Sequence, residues 1–249
     1  MQEKEQTLIE HLEALRQVLI KSLLVLALCL VPMFFVSPYA MDTLIKIMVG
    51  KNEVTLNFFT PMEVFILQIK MALLLDFLVC FPYIARQFWH FILPALYDNE
   101  RHFIKSIVLS SSLLFVVGVL FCLFLILPLV LRFGLSFTGD YIKPMLGIGN
   151  VVSLALMLSF VFGVMFQFPL VTYSLIKVGI ISYESMKAKR AYVFIGILIL
   201  SGILTPPDIL SQLMLTLPTY ALFEAGLLMA KNKKKLDLEY ALKTRLFLK

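Results

Sequence analysis

The sequence predicts an all-α, polytopic membrane protein of six transmembrane helices, several of them kinked by proline, with both termini cytoplasmic. Three observations carry that prediction. Apolar residues make up 60% of the chain and raise its mean hydropathy to +0.92. They are grouped in six long blocks, residues 19–36, 64–85, 106–131, 151–176, 191–204 and 209–230, and not in the short periodic runs of a soluble core. Of the 22 Lys and Arg residues, all but Lys46, Lys51, Lys70, Arg132 and Lys143 fall outside these blocks or, for Lys21, at the very start of the first, on one common side, which the positive-inside rule makes the cytoplasmic one. Residues 1–249 are thus expected to form a single six-span membrane domain.

The elements follow in order. Residues 6–19 read as an amphipathic helix, with Leu8, Leu12, Leu15 and Leu19 on one stripe and Glu10, Glu13 and Arg16 off it. Residues 1–18 are expected to lie in the membrane interface. This polar, acidic start is unlike a cleavable signal peptide, so the first span is expected to be retained. The second span carries Gln68, Lys70 and Asp76 at membrane depth, where ionisable groups are functional candidates. Lys70 is expected to snorkel toward the non-cytoplasmic interface beside Glu63. Asp76, six positions on and about 240° around the helix, is a poor partner for it.

In the fourth span Gln167 stands two residues before Pro169, which frees the carbonyl of Met165 and predicts a polar, bendable point. The fifth span has about 14 apolar residues, or about 21 Å of helix, against a hydrocarbon core of about 30 Å. The connection Thr205-Pro206-Pro207-Asp208 adds no slack, so this hairpin is expected to thin the bilayer or lean on its neighbours. The sixth span carries Gln212 and Glu224, the latter within reach of cytoplasmic headgroups beside Lys231. The basic tail, residues 231–249, is suited to anionic lipid. Pro32, Pro82, Pro128, Pro169 and Pro218 all fall within spans and predict kinks.

Several function classes are set aside on composition. The positive charge serves topology, so nucleic acid is not implied. Cys29, Cys80 and Cys122 sit in apolar spans and read as small buried hydrophobes; neither a disulfide framework nor a metal or cofactor site is expected. No His-Glu-x-x-His, Gly-x-Ser-x-Gly or phosphate-binding loop is present, and His11, His90 and His102 lie near interfaces, so no enzyme is expected. Six spans with intramembrane charges also permit a small-solute secondary transporter, but the two halves show no internal repeat and no matched pair of broken helices.

Acids stand out at the cytoplasmic rim, where Asp98 and Glu100 follow Phe91-Ile92-Leu93-Pro94-Ala95-Leu96-Tyr97. A carboxylate there suits a guanidinium, whose planar fork it bonds in bidentate fashion. The run from Phe81 through Pro94, Ala95, Leu96, Tyr97, Asp98, Asn99, Glu100 and Arg101 closely resembles the second span and first cytoplasmic loop of the TatC family, the receptor subunits of the twin-arginine protein translocase. Ser110-Ser111-Ser112-Leu113-Leu114-Phe115, Thr205-Pro206-Pro207-Asp208 with Ser211-Gln212, Leu222-Phe223-Glu224 and His11-Leu12-Glu13-Ala14-Leu15-Arg16 extend the resemblance over nearly the whole chain.

The resemblance implies a non-enzymatic receptor without cofactor or metal. Its cytoplasmic face would bind Arg-Arg signal peptides of folded cargo, through Glu100 above all, with Glu10, Glu13, Arg16, Pro94, Leu96 and Tyr97. It also implies that single-span TatA-type and TatB-type partners dock along the helices, with Gln167, Gln212, Asp208 and Glu224 as the polar positions, that the subunit self-associates, and that the proton-motive force drives export. Two positions depart from the family pattern. Ala14 stands where the family has a glutamate, with Glu10 and Glu13 as neighbouring acids, and Gln167 stands where the family usually has a buried glutamate.

Overall fold

The computed structural model describes residues 8–49, 56–92, 101–136, 146–204 and 209–247, with backbone alone at some of their ends. Nine α-helices and two short strands are assigned among them: α1 (Leu8–Val49), β1 (Leu56–Asn57), α2 (Pro61–Ile92), α3 (Arg101–Phe121), α4 (Leu127–Ser136), β2 (Leu146–Gly147), α5 (Ile148–Met165), α6 (Phe168–Lys177), α7 (Tyr183–Ala188), α8 (Arg190–Leu204) and α9 (Ile209–Phe247). Among the described residues, five stretches of helix are long and apolar enough to cross a membrane. A sixth apolar stretch, Arg190–Ile203, is shorter, as the brevity of the fifth block predicts. Two compact units divide the chain after Phe160.

In the first unit α1 runs unbroken for 42 residues, about 63 Å at 1.5 Å per residue. The amphipathic segment and the first span are thus one helix without a hydrogen-bonding break at residue 19, and the apolar stretch reaches Met48, beyond the expected limit at 36. Leu28 (77% exposed) and Phe35 (72%) are left bare on α1, the pattern of a helix solvated by lipid.

Helices α1 and α2 pack antiparallel. Met41, Leu44 and Met48 from the end of α1 meet Leu67 and Met71 from the start of α2, and Val151, Val152, Ala155 and Leu156 of α5 complete that core. Deeper in, Phe77 and Phe81 of α2 pack on Phe115 of α3, the Phe81 and Phe115 rings stacked with centroids 4.2 Å apart. Phe160 of α5 meets Phe77 edge-on at 4.9 Å.

Proline shapes these helices in two ways. Pro32, Pro38, Pro82 and Pro218 are absorbed inside α1, α2 and α9. Before Pro128 the chain instead widens into a five-residue π turn, Cys122–Ile126. A ring that offers no N–H to the carbonyl four residues back is accommodated there by looser winding. At Pro169 the helix gives way altogether, with Phe166 and Gln167 forming a turn between α5 and α6.

One polar knot ties the start of α2 to the start of α5. Glu63 Oε2 accepts hydrogen bonds from the backbone N–H of Phe59 (2.8 Å) and Thr60 (3.4 Å), and Oε1 accepts one from Gly149 N (2.7 Å). Three amides left orphaned at two helix starts are thereby satisfied. Beside the knot, β1 and β2 pair in parallel, Leu56 with Leu146 and Asn57 with Gly147. Glu63→Ala is expected to raise amide hydrogen exchange several-fold at residues 59–63 and 148–150, with Glu63→Gln intermediate. Unchanged exchange at 148–150 would show that the carboxylate does not tie the two helices.

In the second unit α6 ends in a left-handed glycine, Gly179 (φ 84°), whose N–H bonds the carbonyl of Ile176 at 3.1 Å while Ile181 N reaches Leu175 O at 3.3 Å. Ser182 then caps α7, its Oγ accepting from Ser185 N at 3.1 Å. Helix α9 runs 39 residues, so the basic tail continues the sixth span as helix. Ile197, Phe223 and Leu227 form the core between α8 and α9.

Candidate functional site

Of the residues expected to read a signal peptide, Glu10, Glu13 and Arg16 lie on the start of α1, at one end of the first unit. Because α1 and α2 are antiparallel, the start of α1 and the end of α2 share that end. Glu13 and Arg16 are exposed on α1, Ala14 is half-buried, and Glu10 belongs to the helix by its backbone. The last turns of α2 are firmly seated, with Trp89 only 2% exposed and Gln87 Nε2 donating to Tyr83 Oη at 2.9 Å. Pro94, Leu96, Tyr97 and Glu100 lie outside the described residues, between the end of α2 at Ile92 and the start of α3 at Arg101.

The membrane-depth polar residues are placed in detail. Lys70 Nζ donates to Ser153 Oγ on α5 at 2.8 Å, a partner the sequence reading did not supply. Gln167 occupies the turn before α6 as its N-cap residue, half-buried, with Nε2 3.4 Å from the carbonyl of Gly163. The bendable point expected at Pro169 is therefore a real break, and a polar side chain stands in it.

Gln212 and Glu224 belong to a polar seam that joins α8 to α9. Four residues at four-residue spacing on α9 meet four on α8, the first two on α9 opposite Leu198 and Ser201 and the last two opposite Phe194 and Arg190. Gln212 Nε2 donates to Leu198 O (2.9 Å), and Thr216 Oγ1 lies 2.6 Å from Ser201 Oγ. The Tyr220 ring meets Phe194 edge-on at 5.2 Å, and Arg190 Nη2 bonds Glu224 Oε2 at 2.7 Å. Tyr220 Oη donates to the other carboxylate oxygen at 3.0 Å. The Glu224 carboxylate is thus engaged by Arg190 within the protein, where the sequence had suggested lipid headgroups. Arg190, Ser201, Thr216 and Tyr220 were missed, although the 212, 216, 220, 224 spacing that places one row on a single helix face was in the sequence. Asp208 lies outside the described residues.

The fold, the short fifth apolar helix and the break at Gln167 can be set beside known proteins. The family model for the Sec-independent protein translocase protein TatC matches residues 10–218. The chain belongs to the TatC family. It is 36% identical over 232 residues to the Sec-independent protein translocase protein TatC of Carboxydothermus hydrogenoformans, covering 93% of this chain and 95% of that one. To the TatC of Aquifex aeolicus it is 35% identical over 239 residues, covering 94% and 99%. A crystal structure of the twin-arginine translocase receptor TatC in the detergent DDM superposes with a TM-score of 0.81 at 33% identity, over 89% of this chain and 99% of that one. As a TatC-family member the protein is a non-enzymatic component of the Sec-independent translocase, built from apolar membrane helices.

Proposed function

We propose that this chain is the receptor subunit of a twin-arginine translocase, binding Arg-Arg signal peptides of folded precursors and scaffolding TatA-type and TatB-type partners for export driven by the proton-motive force. The observation that carries the reading is the family match along the chain together with the shared fold. The charge asymmetry supports a bacterial inner-membrane location with both termini cytoplasmic. That orientation sets the exposed Glu13 and Arg16, and the 93–100 connection with Glu100, Pro94, Leu96 and Tyr97, on the side where precursors arrive. Glu100 is the principal carboxylate for the arginine pair, since at position 14 this chain has Ala.

Partner helices then have two kinds of surface to meet. Gln212 and Glu224 hold the short α8 in place and so shape the face it offers, while Gln167, at a helix break, supports a polar contact at membrane depth. Asp208 follows the prolines at the α8–α9 connection and is a further polar contact at its edge. The basic tail supports contact with anionic lipid, and self-association within the translocase completes the proposal.

The test is binding of a fluorescent Arg-Arg signal peptide and its Lys-Lys twin to the purified protein in detergent. At least a tenfold preference for Arg-Arg is expected, lost in Glu100→Ala and strengthened in Ala14→Glu. Equal affinity for both peptides in all three proteins would overturn the receptor reading.

A further inference from the structure

At the middle of α2 stands Asp76, a carboxylate only 2% exposed in a helix that reads as membrane-spanning. One turn on, Cys80 (4% exposed) donates its thiol to Asp76 Oδ1 at 3.4 Å. Across the α1–α2 interface, Cys29, at the middle of α1, turns its sulfur into the same place. The two sulfurs and a carboxylate oxygen all lie within 4.8 Å of one another. The spacing i, i+4 puts Asp76 and Cys80 on one face of α2, and the antiparallel packing of α1 supplies the third donor from the opposite wall.

We propose that Cys29, Asp76 and Cys80 form a binding site for a soft divalent cation of the zinc type, clamping the first helix to the second. Geometry is the first reason. Tetrahedral zinc, with bonds of about 2.3 Å to sulfur and about 2.0 Å to oxygen, needs donors about 3.5–3.8 Å apart. The Asp76–Cys80 pair, at 3.4 Å, stands just short of that range, and the Cys29 sulfur, within 4.8 Å of both, has at most about 1 Å to close. Chemistry is the second reason. Two sulfurs and one carboxylate select the zinc group over magnesium or calcium, which take oxygen alone.

Charge does not oppose the site. Zinc takes cysteine as thiolate, so two thiolates and the Asp76 carboxylate around a divalent ion leave one net negative charge, the same as a lone carboxylate, with two thiol protons leaving to solvent. Asp76 also borders a mostly apolar cleft of about 760 Å³ walled by Leu26 and Leu30 of α1, Lys70 and Phe77 of α2, and Ser153 of α5. The three-donor set leaves a fourth coordination position open.

The site does not depend on the receptor reading, and its test reads metal directly. The purified protein, reduced and stripped with chelator, is titrated with Co²⁺. Expected are one ion per chain, the visible bands of tetrahedral cobalt, thiolate-to-cobalt charge transfer in the near ultraviolet, and displacement by Zn²⁺. Asp76→Asn should weaken binding at least tenfold, Cys80→Ser or Cys29→Ser should each cut the charge-transfer band by about half or more, and Cys122→Ser should change nothing.

A second measurement guards against variants that fold poorly. In the unaltered protein, Zn²⁺ should slow alkylation of Cys29 and Cys80 at least tenfold and leave Cys122 unchanged. Octahedral cobalt spectra, spectra indifferent to both cysteine substitutions, or a Cys29–Cys80 disulfide whose reduced form takes up no metal would each overturn the proposal.

Discussion

Gly226→Ala is expected to lower stability by about 1–3 kcal/mol, among the largest effects a single methyl group can have in this protein. A Cβ at position 226 would lie 2.6 Å from Pro169 O, 2.8 Å from Pro169 Cα and 3.1 Å from its carbonyl carbon. All three are backbone atoms, and the proline ring fixes φ at that residue, so no rotamer change relieves the clash. Helix α6 must move away from α9, loosening contacts along both. Thermal denaturation in detergent should show a midpoint several degrees lower, with hydrogen exchange rising first in α6 and α9. Gly196→Ala is the matched control, since a Cβ there meets nothing within 4 Å. If the two variants melt together, the close approach of α6 to α9 does not exist as described.

The second large effect is expected at the Arg190–Glu224 pair. Glu224→Ala leaves a guanidinium without its carboxylate and Tyr220 without an acceptor. Breaking a fully buried pair costs about 3–5 kcal/mol, but these side chains are 38% and 26% exposed, so about 2 kcal/mol is the expected loss. Glu224→Gln, which keeps an acceptor but not the charge, should fall between. In a double-mutant cycle with Arg190→Ala, the coupling should be at least about 1 kcal/mol, because either single substitution removes the same bond. Additive losses would mean that the two residues act separately.

What the sequence made legible was whatever depends on composition and local chemistry. The apolar blocks marked the helices, the brevity of residues 191–204 anticipated a 15-residue α8, and Pro169 announced the break at Gln167. Pro128 announced a disturbance, yet periodicity gave no sign that it would take the form of a π turn. The interfacial segment was separated from the first span because charges stop near residue 21, whereas backbone hydrogen bonding continues through that point.

Contacts between distant segments were the illegible part. The Asp76 partner Cys80 stands four positions on in the same helix and was overlooked, whereas Cys29, 47 positions earlier on another helix, is brought near only by the register of α1 on α2. Glu224 was assigned to the headgroups because Lys231 is close in sequence. Arg190, 34 positions away, is closer in space. Ser201 and Thr216 are ordinary members of apolar helices until α8 and α9 face each other. Of the signal-peptide residues, the resemblance named the chemistry, and the structure fixes the helices that bracket them.

The length of α8 carries a consequence beyond the fold. Fifteen residues rise about 22 Å, roughly 8 Å less than an ordinary hydrocarbon core, while the seam from Gln212 to Glu224 keeps the helix docked on α9. Each added methylene pair in the surrounding acyl chains widens that mismatch, and shorter chains narrow it. Short-chain lipids therefore relieve the thinning that α8 imposes on its surroundings and long-chain lipids deepen it, so the thickness of the host bilayer bears directly on this hairpin.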